Sequence, residues 1–195
     1  MSVPDIAMRA RIMAEATRLF MAAGYNGISM REIAEAVGVS KAGLYYHFRD
    51  KEDLFLAILH DALARLGQIV QAARAAGPPA RTQVELLVCA LFGLPGEQRA
   101  LIRLAGHELA HLGATARTEF GRQYHAQFIG QVSALLEAAI ARGELRPIEP
   151  QTLTWLLLGM MYPFLTSDDG ADARRPDQTI AVLLELFFAG AAQPG

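Results

Sequence analysis

The sequence predicts an all-α protein, and three observations carry that prediction. Ala and Leu, strong helix formers, dominate a chain of 195 residues that is 52% hydrophobic and 19% charged. Alternating β-branched runs joined by hairpin turns are missing, and the only Asn-Gly pair, Asn26-Gly27, lies between two helical patterns. Gly and Pro clusters cut the remainder into stretches of helical length, about nine in all.

The first helix spans 5–23, with Ile12, Ala16, Leu19 and Phe20 on one apolar stripe, and closes at Gly24 to Gly27. Ser29 with Glu32 three residues on is a capping box that opens a helix over 29–36. Gly38 supplies a left-handed turn, and Ser40 caps the next helix, 40–47. Asp50 caps a long helix over 51–75, which ends at Gly77-Pro78-Pro79. Helices over 80–92, 97–111, 115–142, 150–165 and 177–190 follow, separated by further Gly and Pro loops. Pro163 should bend or end its helix. The two short helices need neighbours to hold them, so residues 1–50 are expected to form one module. Residues 51–195 form a larger helical body, reached through the connecting helix 51–75.

Composition narrows the function. The single cysteine, Cys89, excludes an internal disulfide framework and any zinc site built on several cysteines. No apolar run reaches the ~18 residues of a membrane span, and the first twenty residues lack a secretion-signal layout. A cytoplasmic protein without membrane contact, and without a cofactor, is expected.

Residues 29–51, SMREIAEAVGVSKAGLYYHFRDK, have the layout of a helix-turn-helix, whose second helix enters the DNA major groove. Leu44 and Phe48, four apart, face inward and leave Lys41, Ala42, Tyr45, Tyr46 and His47 outside. Lys51 in the first turn of a helix opposes the macrodipole unless an anion such as a phosphate is near. Net charge is −2 overall, yet residues 36–51 hold three basic side chains against one acid, including both lysines of the chain.

Residues 19–59, LFMAAGYNGISMREIAEAVGVSKAGLYYHFRDKEDLFLAIL, closely resemble the N-terminal domain of TetR-type transcriptional regulators. The turn AVGVS, the helix ending LYYHF and the following KEDL occur together and in order, and GELRP at 143–147 before two final helices is also similar to the family. The resemblance implies a homodimeric, ligand-responsive repressor, with an N-terminal three-helix DNA-binding domain and a larger helical ligand-binding and dimerisation domain. It implies that double-stranded operator DNA is met by Ser29, Arg31, Ser40, Lys41, Ala42, Gly43, Tyr45, Tyr46, His47 and Lys51. Of these, Arg31, Lys41, Ala42 and Gly43 would face bases, and Tyr45, His47 and Lys51 would meet phosphate. Gly43 departs from the side-chain-bearing residue many members carry there, and it leaves specificity to Arg31, Lys41 and Tyr46.

Three further expectations concern the body. A small, mainly apolar effector is expected within residues 80–165, with Phe92, His107, Phe120, Tyr124, Phe128 and Trp155 as candidate contacts. The last helix, IAVLLELFFAG, is apolar nearly all round and therefore needs a second partner. A dimer interface through Leu156, Leu157, Met160, Leu183, Leu184, Phe187 and Phe188 is expected. Finally, His107-Glu108-Leu109-Ala110-His111 matches the H-E-x-x-H of zinc hydrolases, in which Glu119 or His125 would have to supply a third ligand. The extended pattern breaks at Ala114 and Arg117, so a hydrolase is the lesser alternative and no metal is expected.

Overall fold

The structure, a computed structural model, describes residues 3–166 and 176–192. Ten α-helices follow one another among them: α1 Val3–Ala23, α2 Met30–Val37, α3 Lys41–His47, α4 Lys51–Ala75, α5 Ala80–Phe92, α6 Gly96–Glu108, α7 Ala114–Tyr124, α8 Gly130–Ala141, α9 Pro150–Thr166 and α10 Pro176–Ala191. No strand forms among the described residues; Leu145 and Ala192 make one isolated antiparallel bridge.

Three elements differ from the sequence expectation. The helix expected over 115–142 is continuous but contains a π-helical turn, His125–Ile129, in which the Gly130 N–H donates to the His125 carbonyl. The helix expected over 97–111 stops at Glu108, and Leu109–His111 form a 3-10 turn. Pro163 lies inside α9 and does not end it. The bond it cannot make would be donated to the Gly159 carbonyl one turn back; both positions are exposed, so water can serve that carbonyl.

Packing divides the chain into two compact units. The first holds Met1–Ala62 and Gly96–Gly121. It is therefore larger than a module ending at residue 50, because α6 packs on α1. Its core is built from Ile12, Phe20, Ile33, Leu44, Phe48 and Phe55. The Phe55 ring stands edge-on to Phe20 at 5.3 Å and lies 5.1 Å from Tyr25.

The second unit holds Leu63–Pro95 and Arg122–Gly195. In it α8 packs on α9, and α10 packs on α5 and α9. Here the sequence expectation for the dimer face needs correction. Leu157, Leu183, Leu184, Phe187 and Phe188 are buried within the subunit. An all-round apolar helix does not say which stripe its own chain uses. In α10 the stripe bearing both phenylalanines goes inward and leaves Val182 and Leu186 outside. On α9, Leu156 is exposed and Met160 half-buried.

Candidate nucleic-acid interface

The first unit fixes α2 from both ends. At its start the Ser29 Oγ accepts from the Glu32 N–H, while the Glu32 carboxylate accepts from the Ser29 N–H at 2.8 Å and from the Ser29 hydroxyl at 2.6 Å. These bonds hold the Glu32 carboxyl below its usual range. At its end Gly38, with φ +76°, turns the chain and donates to the Ala34 and Glu35 carbonyls. Only a residue without Cβ takes that conformation freely. The Arg11 guanidinium of α1 donates to the Val37 carbonyl, so a helix end that would otherwise need water is closed by a side chain.

Helix α3 begins at the Ser40 cap, whose Oγ accepts the Gly43 N–H at 3.0 Å. Leu44 and Phe48 are buried, and the Arg9 guanidinium lies 4.8 Å over the Phe48 ring. What remains outside is the row expected from the sequence. Lys41, Ala42 and Tyr45 are exposed, Tyr46 is 73% exposed and His47 is half-buried. Lys41 Nζ sits 5.7 Å over the Tyr45 ring, and Tyr46 stands edge-on to His47 at 5.1 Å. Arg31 is also exposed, with its Nε 2.8 Å from the Glu35 carboxylate, which raises the guanidinium pKa further. An exposed pair of this kind is weak and readily exchanged for another acceptor.

Two positions are engaged differently from the expectation. Gly43 has no side chain to offer, and its amide is occupied by Ser40. Lys51 is half-buried: its ammonium donates to the Tyr25 carbonyl at 2.9 Å and the Ile28 carbonyl at 3.0 Å, and lies 4.4 Å over the Tyr25 ring. The anion that a first-turn lysine demands is thus supplied mainly by the chain's own carbonyl dipoles. Nothing in the local pattern around Lys51 signals this, since the two partner residues lie 26 and 23 positions away. Arg11 was missed for the same reason.

The candidate effector contacts divide between the two units. Phe120 is buried in the first unit, its ring 5.4 Å from that of His60. Phe92, Tyr124, Phe128 and Trp155 belong to the second. There Tyr124 packs on Phe128 at 5.7 Å, and burial, with Tyr162 nearby, pushes its phenol pKa up. Trp155 is 51% exposed, on the outer side of α9. The His107 side chain lies outside the described residues. As for H-E-x-x-H, His111 stands on the 3-10 turn rather than one helical turn on from His107, and its Nδ1 is paired with Asn26 Nδ2 at 3.1 Å. No group of three or more His, Cys, Asp and Glu suited to a metal ion occurs among the described residues.

Two short helices joined by a tight glycine turn, the second held from behind and presenting a basic and aromatic face, define a helix-turn-helix DNA-binding protein. Residues 12–58 match the family described as bacterial regulatory proteins, tetR family. The chain is 31% identical over 167 residues to the transcriptional repressor BepR of Brucella suis, covering 80% of this chain and 78% of that protein. It is 26% identical over 192 residues to the transcriptional regulator AcrR of Shigella flexneri, covering 92% and 89%. The protein belongs to the TetR family of transcriptional regulators, and it is not an enzyme. Its fold matches that of AibR, solved in complex with isovaleryl coenzyme A and operator DNA, with a TM-score of 0.73 at 23% identity over 91% of this chain and 98% of that one.

Proposed function

We propose that the protein is a homodimeric repressor that holds a palindromic operator through α2 and α3 and is released by a small, mainly apolar effector. One observation carries this: Lys41, Tyr45, Tyr46 and His47 face outward from a helix whose other side is pinned by Leu44 and Phe48. Lys41 and Ala42, with Arg31 from α2, read base edges. Tyr45 and His47 meet phosphate, and Lys51 adds at most its one remaining N–H to them. A repressor works where its operator DNA is, in the cytoplasm.

Dimerisation is supported by the face left uncovered in the second unit, where Trp155, Leu156, Val182 and Leu186 are 51%, 55%, 49% and 61% exposed. A second copy of the chain covers it, since two-fold symmetry gives two recognition helices on one face of the duplex. Obligate interfaces of this kind bury on the order of 2,000 Å² or more. The effector is held in the second unit, around Tyr124 and Phe128, where the phenol is the polar handle. The AibR complex, which contains both a small molecule and operator DNA, supports this pairing of functions. Helix α4 begins in the first unit and ends in the second, so a shift at its far end alters the spacing of the recognition helices. The coupling expected is ~1–3 kcal/mol, and it must be reciprocal.

The test is selection of binding sites from random duplexes, followed by titration of the enriched site. A palindromic consensus is expected. Tyr45→Phe and His47→Ala should weaken binding to every sequence, while Lys41→Ala and Arg31→Ala should also relax preference by ~1–3 kcal/mol per lost base contact. Enrichment of no sequence would refute DNA binding. A thermal-shift screen of apolar compounds should give hits that weaken the operator complex; hits that leave it unchanged would refute the effector response.

A further inference from the structure

Glu108 and His111 of the H-E-x-x-H segment lie outside α2 and α3, yet both are engaged within the first unit. Asn26 Nδ2 and His111 Nδ1 are 3.1 Å apart although 85 residues separate them in sequence. Donation from the Asn26 amide fits a His111 that is unprotonated on Nδ1 and carries its proton on Nε2, which lies 3.6 Å from the Glu108 carboxylate. The Glu108 carboxylate in turn lies against Gly24, where an added Cβ would come within 3.1 Å of Oε1. Two residues beyond His111, the Gly113 N–H donates to the Glu52 carboxylate at 2.8 Å. Glu52 follows Lys51, whose ammonium holds the Tyr25 and Ile28 carbonyls. Residues 108–113 therefore meet both the α1–α2 loop and the first turn of α4.

That loop leads directly into Ser29, the cap of α2. The loop lies close against the end of α1 and takes glycine at 27, where a Cβ would stand 2.2 Å from the Ala23 carbonyl oxygen. Its conformation is set by Lys51 on the backbone and by His111 on the Asn26 side chain. On the reading that α2 and α3 hold the operator, we infer that His111 and Asn26 are positioning residues for DNA binding. They make residues 108–113 a clasp that fixes the α1–α2 loop, and through it the start of α2. Neither residue touches DNA.

The experiment uses the full-length dimer and the operator selected above, with affinity measured by fluorescence anisotropy at fixed salt. His111→Ala and Asn26→Ala should each raise Kd about three- to tenfold, the range of one net hydrogen bond. The double variant should be no worse than either single one, because one bond is lost in all three. His111→Asn, whose Oδ1 can stand where Nδ1 stood, should recover most of the affinity. Unfolding temperature and dimer mass should be unchanged, and amide exchange at 24–29 should quicken. The clasp is overturned if Kd stays within twofold of wild type, if the single effects add, or if Asn at 111 is as poor as Ala. If the Ala variant at 111 does not fold, Asn26→Ala against His111→Asn decides alone. Failure of the wild type to bind any operator would instead remove the DNA-binding reading itself.

Discussion

Replacing Lys51 by Met separates the two roles a lysine at this position can have. Met keeps an apolar stem beside Tyr25 and removes only the ammonium. Three contacts disappear: the bonds to the Tyr25 carbonyl at 2.9 Å and the Ile28 carbonyl at 3.0 Å, and the approach of 4.4 Å to the Tyr25 ring. A charge-assisted hydrogen bond contributes ~1.5–3 kcal/mol when well buried, and a cation over a ring ~0.5–1 kcal/mol at an exposed site. The site is half-buried, water can reach part of what is freed, and the contacts share one cation, so the terms do not sum. A net loss of about 2 kcal/mol is expected. For a chain of this length that lowers Tm by roughly 4–8 °C. The assay is thermal unfolding at one fixed protein concentration, because dissociation and unfolding are linked in a dimer. Operator titration across salt concentrations completes it. With at most one N–H left for phosphate, the slope of log K against log salt should change by less than one counterion per subunit. A Tm within 1 °C of wild type together with a full-unit change of slope would refute the structural role and make Lys51 a phosphate ligand alone.

Three other outcomes follow from the packing. Phe55→Ala removes a fully buried ring that meets Phe20 and Tyr25, and should cost about 3–5 kcal/mol in urea unfolding; a loss below about 1 kcal/mol would show that the first unit's core does not depend on it. Leu186→Arg should give a folded monomer by sedimentation, whereas Leu184→Arg, 6% exposed, should unfold the subunit; the reverse pattern would exchange the inner and outer faces of α10. The Glu144 carboxylate accepts from Arg142 and from the Ala80 amide, and these bonds hold its pKa below the usual range. A depressed folded pKa contributes stability above the unfolded value that is lost as pH falls through the folded one. Glu144→Gln should therefore be less stable than wild type at neutral pH, by a small amount because the pair is partly solvated, and the gap should close as pH falls below the carboxylate range. Urea midpoints against pH measure this, and a gap that is independent of pH would show that charge is not involved.

The sequence by itself determined the parts whose causes lie within a few residues. Ser29 with Glu32, Ser40 with Gly43, and Gly38 between two apolar stripes each make their bonds inside one turn, so the boundaries of α2 and α3 and the outward row of α3 are legible in order. The same locality made the family resemblance over 19–59 readable. Tertiary structure decided what depends on a partner far along the chain. Lys51 carries the same charge whether it faces a phosphate or two carbonyls, and only folding places Tyr25 and Ile28 beneath it. Five of the seven residues expected at the dimer face went into the subunit core, because α10 is apolar on both sides and packing against α5 and α9 chooses between them. H-E-x-x-H is a spacing along an ideal helix, and the 3-10 turn at Leu109–His111 breaks that spacing and aims His111 at Asn26. Periodicity and capping record what a residue does to its own turn of helix; the partner of an exposed or all-round apolar position is fixed only when distant segments meet.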